Sequence, residues 1–367
     1  MKIKLKFNNS YLESISNVDY LSLNEENHYK TGFAAGTLFV KANYKIIKLL
    51  KNPFIKMILK FLYSKHKKRM QGIRVPEEYL EELRGYSEST KISYEHLLLI
   101  NLRYEIRGCS GFAFLNPDGS LLVGHNTDAS KILAKVMLRY FNPLIVSVQI
   151  PGKNKFVHVS YAFFIGAANG FNEQGIATSS HDSGSIHHKV VANNISAASL
   201  VRVILEKAQS IDGVSKVVQE NFSYIPANIL IASEKEHKFS VLEAYPSDFS
   251  FTVIANQSWV AVTNHYQSDK MQKYHKAIKK GSSDRLTCLH KILSGKNNFS
   301  IKEAIETLKD HRNGVQRDVT GYSIANMGTF QSFVLDVTKK DIYISNGNKL
   351  PVPFSGDFIK ISTMSEL

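Results

Sequence analysis

The sequence predicts an α+β protein on three observations: helical spacing through most of the first hundred residues, an abrupt change to strand alternation at Gly108, and later strands and helices that come in blocks. Blocks of strands build antiparallel sheet, because parallel sheet requires a crossover after every strand. The 367 residues are enough for one large domain or two ordinary ones. With 43% hydrophobic residues and only 9 Pro and 21 Gly, the chain can bury a substantial core, which excludes disorder, collagen and coiled coil as descriptions of the whole.

The opening MKIKLKFNNSYLESIS is basic but no apolar run of signal-peptide length follows, and no stretch reaches the roughly 18 apolar residues of a membrane span. A cytoplasmic protein is therefore expected. The segment 41–70, KANYKIIKLLKNPFIKMILKFLYSKHKKRM, contains no acidic residue and has apolar positions at helical spacing, with Pro53 dividing it into two helices. Two readings stay open for it: a core-facing helix pair with a solvated lysine face, or a basic amphipathic surface for an anionic membrane or an acyl or phosphate-bearing ligand. Although the net charge is +14, no nucleic-acid partner is expected, because no binding motif with stacking aromatics accompanies the basic run.

Pro76 opens the helical PEEYLEELRGYSES, and another helix is expected over 94–104, so the first hundred residues read as helical. At Gly108 the texture becomes CSGFAFLNPDGSLLVGHNTD, a hairpin turned at Pro117-Asp118-Gly119. If the turn centres on Asp118, Thr127 faces Cys109, and Asn126 and Asp128 fall beside the cysteine. Further strands are expected over 155–164, 175–180, 228–232, 239–243, 251–255 and 259–264. Helices are expected between 196 and 222, over 269–293 and over 301–309, before a closing hairpin of 332–336 with 341–345. Neither an internal repeat nor a glycine-rich phosphate loop is present in the sequence.

Two cysteines, Cys109 and Cys288, cannot form a disulfide framework or a four-cysteine zinc site. Cys109 directly follows Gly108 where a helical segment gives way to strand. That setting suits cleavage of the Gly108-Cys109 peptide, which would make Cys109 an amino terminus with its own base, since an α-amine has a pKa of about 7.7–8.0. A small buried hydrophobe is the other reading of Cys109, and spacing alone leaves both open. A papain-type arrangement is disfavoured, because no helix start lowers the thiol pKa. His181-Asp182 and His187-His188 lack metal-ligand spacing, so no metal is expected. Cys288 follows Arg285 by one helical turn and reads as a packed thiol, at most lining a pocket floor.

The run PEEYLEELRGYSESTKISYEHLLLINLRYEIRGCSGFAFLNPDGSLLVGHNTD resembles the processing-site region of the acyl-coenzyme A:6-aminopenicillanate acyltransferase (isopenicillin N acyltransferase) family, within the N-terminal nucleophile hydrolases. Downstream, GAANGFNEQGIATSSHDSG, VAVTNHY, SSDRLTCLHKIL and TFQSFVLDVTKKDIYISNG resemble further family segments in the same order, and HYKTGFAAG resembles the family's upstream tyrosine and glycines. The resemblance spans about Tyr29 to Gly347.

This resemblance implies a four-layer αββα sandwich, with residues 1–108 a helical leader and 109–367 the catalytic part, the two staying associated after cleavage at Gly108-Cys109. It implies Cys109 as nucleophile, Asp128 orienting amine and thiol, the Asn264 amide in an oxyanion hole, and Arg285 completing the polar cluster. His125, Asn126, Asn172 and Ser283 would contact substrate; His125 stands where members often carry arginine. His265 is expected to point away and not to act as base. The implied activity is a cysteine-dependent amide hydrolase or acyltransferase acting on a small acyl amide or thioester. No cofactor is implied, though a coenzyme A thioester is a possible substrate. The competing expectation is a catalytically silent lipid- or ligand-binding member that uses 41–70.

Overall fold

The computed structural model describes residues 3–102, 108–183, 193–221, 223, 226–275, 278, 280–311 and 323–363. Its chain opens with strand, which corrects the expectation of a helical first hundred residues. β1 (Ile3–Phe7), β2 (Ser10–Ile15) and β3 (Val18–Asn24) form an antiparallel meander. The physical reason is local: Ile3, Leu5 and Phe7 alternate with lysines, and the two-residue links Asn8-Asn9 and Ser16-Asn17 place Asn8, Ser16 and Asn17 at positive φ, as tight hairpins require.

The helices follow as expected from His28 onward: α1 (His28–Lys41), α2 (Lys45–Lys51), α3 (Pro53–Gln71), α4 (Glu77–Thr90) and α5 (Tyr94–Leu102). Pro53 separates α2 from α3, and Asn27 caps α1 through Lys30 N–H. β4 (Gly108–Leu115) and β5 (Leu121–Asp128) then form the anticipated hairpin. Gly119 takes φ +84 in its turn, and Asp118 Oδ1 accepts from Ser120 N–H at 2.9 Å.

α6 (Lys131–Tyr140) and β6 (Leu144–Gln149) come next, and neither was anticipated from the sequence. The remaining elements are β7 (Phe156–Ser160), β8 (Asn169–Asn172), β9 (Ile176–Asp182), α7 (Ala197–Lys207), α8 (Ile211–Glu220), β10 (Ala227–Ser233), β11 (Lys238–Tyr245), β12 (Asp248–Ile254), β13 (Trp259–Val262), α9 (Asp269–Gln272), α10 (Lys280–Leu293), α11 (Ile301–Leu308), β14 (Thr329–Asp336), β15 (Asp341–Ser345) and β16 (Phe358–Ser362).

Among the described residues, ten strands make one sheet in the order β1-β2-β3-β6-β7-β8-β9-β10-β11-β12, and six make the other, β13-β4-β5-β14-β15-β16. Every pairing is antiparallel except β3 with β6. The core divides into layers accordingly. Ala113, Val123, Phe333 and Ile344 of the smaller sheet meet Ile145, Val157, Phe171 and Leu230 of the larger one. Outside the larger sheet lie the apolar faces of α1, α2, α4, α7 and α8, and outside the smaller one those of α10 and α11. The result is the α+β sandwich of four layers, αββα.

The described part of residues 1–108 is woven into this sandwich. β3 pairs with β6 along its length, and α1 packs on α4 with almost no side chain between them: a Cβ on Gly32 would lie 1.9 Å from the Glu82 carbonyl oxygen, and one on Gly85 would lie 2.1 Å from that of Tyr29. Beneath this contact Arg202 of α7 holds Glu82 of α4 at 2.6 Å and Glu206 at 2.8 Å, while His28 Nδ1 lies 3.2 Å from Glu82. All four residues are buried, so the charges depend on one another for compensation.

Two outcomes follow from this packing. Gly85→Ala must push α1 from α4, so a loss of about 1–3 kcal/mol is expected in urea unfolding, and an unchanged midpoint would contradict the close approach. Burial pushes the Glu82 carboxyl up, but Arg202 and His28 outweigh it and hold the group at about 2. A lowered folded-state pKa means stability that is present above the unfolded value of about 4.3 and is lost as pH falls towards 2. The urea midpoint should therefore drop across that window, with a shallower slope in Glu82→Gln.

Candidate active site

Cys109 enters β4 opposite Thr127, Gly108 opposite Asp128 and Ser110 opposite Asn126, which is the register that hairpin symmetry predicts. Strand alternation then sorts the side chains. Cys109 shares the face of Gly111, where a Cβ would strike the His181 ring and Ser179 Oγ of the larger sheet. Ser110, Asn126 and Asp128 take the opposite face, towards α10 and α11.

Arg285, near the start of α10, is buried and organises that second face. Its Nη1 donates to the Cys109 carbonyl oxygen and to Ser110 Oγ (2.7 Å), and its Nη2 donates to Asn264 Oδ1 (2.8 Å). The same Asn264 oxygen accepts the backbone N–H of Cys109 at 2.9 Å. Two donors on one atom fix the orientation of the amide, and Asn264 Nδ2 donates one hydrogen to the Asp182 carbonyl at 2.7 Å. Asn264 lies just beyond β13, where Ser282 Oγ of α10 meets its backbone N–H at 2.9 Å. Asp128 sits 3.8 Å from Arg285 Nη1; its Oδ1 accepts from Thr329 Oγ1 (2.6 Å) and its Oδ2 from Asn326 Nδ2 (2.9 Å).

The electrostatics follow from burial. Asp128 is pushed up by desolvation, against Arg285, Thr329 and Asn326, which draw it down. The Cys109 thiol is likewise pushed up, first by burial and then by the Asp128 charge, with the Asp128 backbone N–H and Arg285 opposing. Cys109 is 2% exposed, so its thiol is shielded from solvent; its charge neighbours are Asp128 and Arg285, and its backbone N–H and carbonyl meet Asn264 and Arg285.

The four expected substrate contacts lie in different surroundings. Asn126 donates to the Leu308 and Ile324 carbonyls at 2.8 and 3.0 Å, so it pins α11 to the sheet on the face away from Cys109. Asn172 spends its donors on the Leu205 and Ala208 carbonyls and its oxygen on the N–H groups of Gln174 and Ile176, closing a turn and the end of α7. Ser283 stays half-buried on α10 while its neighbour Ser282 turns inward to Asn264, Thr263 and His265. His125 is wholly buried between the sheets, stacked on Phe333, with Nδ1 2.8 Å from Ser179 Oγ, which in turn lies 3.1 Å from His181 Nε2. His265 lies beyond the end of β13, with Nδ1 2.7 Å from Ser282 Oγ.

Residues that sequence reasoning missed are Ser110, Ser282, Asn326 and Thr329. Only the last two carried a signal, an Asn-x-Gly-Thr turn at a strand start, in which Gly328 N–H meets Asn326 Oδ1 at 2.9 Å. Cys288 is half-buried, with its sulfur 3.5 Å from Asp310 Oδ1. His187 and His188 lie outside the described residues. Among those described, one trio, His28, Glu78 and Glu206, brings possible ligand atoms within 4.8 Å, but the Lys153 ammonium already lies 2.9 Å from Glu78 and 3.8 Å from Glu206.

The sequence profile of the family described as acyl-coenzyme A:6-aminopenicillanic acid acyl-transferase matches residues 114–350. The matched span takes in Asp128, Asn264 and Arg285 and begins just beyond Cys109. Similar solved structures include an N-acylethanolamine-hydrolyzing acid amidase ortholog from Caenorhabditis elegans, 14% identical, covering 68% of this chain and 100% of that one, with TM-score 0.44. Penicillin V acylase from Agrobacterium tumefaciens is 11% identical over 71% of this chain and 87% of its own, with TM-score 0.45. A variant of the conjugated bile acid hydrolase from Clostridium perfringens is 14% identical over 69% and 92%, with TM-score 0.48. No curated protein matches.

Replacing Arg285 by Met strips donors from Cys109, Ser110 and Asn264 and leaves Asp128 without a countercharge. A loss of about 3–5 kcal/mol is expected in urea unfolding. Without the cation the Asp128 pKa rises further, and a raised folded-state value means stability lost as pH climbs above the unfolded value of about 3.9. The deficit should therefore be larger at pH 7 than at pH 4, and the reverse order would refute the pairing.

Proposed function

Because the chain belongs to the acyl-coenzyme A:6-aminopenicillanic acid acyl-transferase family, we propose that it is a cysteine-dependent amide hydrolase or acyltransferase. Its substrate is a small acyl amide or acyl thioester, and it works through an acyl-enzyme on Cys109. One observation carries the reading: the backbone N–H of Cys109 rests on Asn264 Oδ1, while Arg285 grips both that oxygen and the Cys109 carbonyl. The backbone of an ordinary buried cysteine does not call for a buried guanidinium and an amide side chain from elsewhere in the chain.

Two stages follow on this proposal. In the first, the Cys109 sulfur attacks the Gly108 carbonyl, the C–N bond breaks, and the nitrogen takes the thiol proton to become an α-amine. Water then hydrolyses the resulting thioester, giving a Gly108 carboxylate and a free thiol. Residues 1–108 remain bound, because β1–β3 lie in the larger sheet and α1 and α4 lie under Arg202. In the second stage the amine, held by Asn264 Oδ1, accepts the thiol proton, and the thiolate attacks the substrate carbonyl. Asn264 Nδ2 carries a second hydrogen beyond the one given to Asp182, and that hydrogen serves the oxyanion. The leaving amine or thiol departs with the proton, and water or another amine resolves the acyl-enzyme. An apolar acyl chain suits the Phe- and Ile-rich leader.

Mass spectrometry of the purified protein should find two chains meeting at Gly108-Cys109, whereas Cys109→Ala stays whole and turns over none of a series of acyl amides of graded length, with or without coenzyme A thioesters. An intact chain with an unreactive thiol would favour the silent ligand-binding alternative. Normal maturation and turnover by Cys109→Ala would end the proposal. In the fraction of Asn264→Ala that matures, kcat should fall by about 10²–10³ with a smaller change in KM.

A further inference from the structure

Of the eleven large apolar side chains that stand exposed among the described residues, seven lie on two helices: Phe54, Met57, Ile58 and Phe61 on α3, and Ile132, Leu133 and Val136 on α6. Scattered exposed apolar residues are ordinary, but these are not scattered. Phe54, Met57, Ile58 and Phe61 fall at i, i+3, i+4 and i+7, which makes one stripe along a helix. Three of them are 60–67% exposed, and Ile132 is 80% exposed. The opposite side of α3 is the one that packs inward, where Leu59, Leu62 and Tyr63 lie against Leu99 and Leu102 of α5. On α6 the inward side is Ala134 and Met137, against Phe330.

The charge around both stripes has one sign. Between Lys45 and Gln71 the sequence has eight lysines, one arginine and no acidic residue, and α6 carries Lys131, Lys135 and Arg139 with no acid. A second copy of the chain would bring like charge against like charge, and a neutral apolar partner would leave the lysines without purpose. An anionic lipid surface complements both features: phosphate headgroups face the lysines, and the upper acyl region accepts the Phe and Ile side chains.

The two helices are also joined. Asn101 of α5 donates to the Phe163 carbonyl at 2.8 Å and accepts from Ile165 N–H at 2.9 Å, Phe164 meets the Tyr161 ring, and Tyr161 meets Phe141 and Phe330 beside α6. Phe330 follows Thr329, the residue that holds Asp128, and α6 itself starts just after Asp128. Both stripes are thus rooted at the end of the sandwich that carries Cys109.

We infer that the exposed faces of α3 and α6 dock the protein on an anionic lipid surface. Docking is independent of the chemistry assigned to Cys109, so it is tested with Cys109→Ala alongside the unmodified protein. Both should co-sediment with phosphatidylcholine vesicles containing 30% phosphatidylserine, about tenfold or more in excess of pure phosphatidylcholine, and 1 M salt should weaken the binding. A variant with Phe54, Met57 and Phe61 all changed to Ser, and separately Lys56→Glu with Lys60→Glu, should each lose about tenfold or more while keeping the native circular dichroism spectrum. Equal binding to neutral vesicles, or no binding to either, overturns the inference. So does binding to RNA without vesicles, or self-association that the Ser variant abolishes.

Discussion

A buried guanidinium sets the terms for this molecule. Arg285 is out of water, where a cation is tolerated only with near-complete hydrogen bonding and a countercharge close by. Its donors are met by the backbone and side chain of two successive residues of β4, by the amide beyond β13, and by the Gly281 carbonyl of its own helix at 3.1 Å. Its countercharge comes from the end of β5, and that carboxylate is in turn held by the turn before β14. Elements far apart in sequence converge because one charge cannot be buried without all of them.

The proposed cut before Cys109 would leave these contacts in place. β4 is flanked by β13 on one side and β5 on the other, so its register does not depend on what precedes Gly108. Cys109 itself is held at its carbonyl by Arg285 and at its nitrogen by Asn264. The segment before it is anchored independently, through β3 on β6 and Glu82 on Arg202. On the proposed cleavage, the contacts that fix the described residues on either side of the cut would not depend on the broken peptide.

How much of this was legible depended on whether the deciding physics was local. The β4–β5 hairpin was, because turn chemistry at Pro117-Asp118-Gly119 fixes register by arithmetic, and Thr127 stands opposite Cys109 as counted. The glycines of HYKTGFAAG were visible as a pattern, but their reason, backbone contact of α1 with α4, exists only in three dimensions. The strands of the first 24 residues had a local signal in their lysine alternation and Asn links, which the strong helical spacing of 41–104 overshadowed. The surroundings of Asn126 and Asn172 were not legible because sequence shows that an asparagine is polar and not what it meets; each donates to helix-end or loop carbonyls. Ser282 and Ser283 differ only in helix phase, and one residue of rotation decides which meets Asn264.

The distribution of charge between the faces of the smaller sheet bears on which group takes a thiol proton. Arg285 and Asp128 lie on the outer face, while the inner one holds His125, held down to about 3 by burial, against His181 of the larger sheet, which is lowered well below its ordinary value first by burial and then by His125 and Arg285. His265, beside Ser282, is lowered to about 4, first by burial. Moving a proton from a thiol of ordinary pKa, about 8.5, to a base of about 3–4 costs on the order of 6–7 kcal/mol, whereas an α-amine of about 7.7–8.0 takes it for roughly 1 kcal/mol. Burial disfavours a charged amine as it does a charged imidazole, and the Asn264 Oδ1 acceptor at that nitrogen opposes the effect. These imidazoles are thus poor acceptors for a thiol proton, and the acceptor that the proposed cleavage would supply is the nitrogen resting on Asn264 Oδ1.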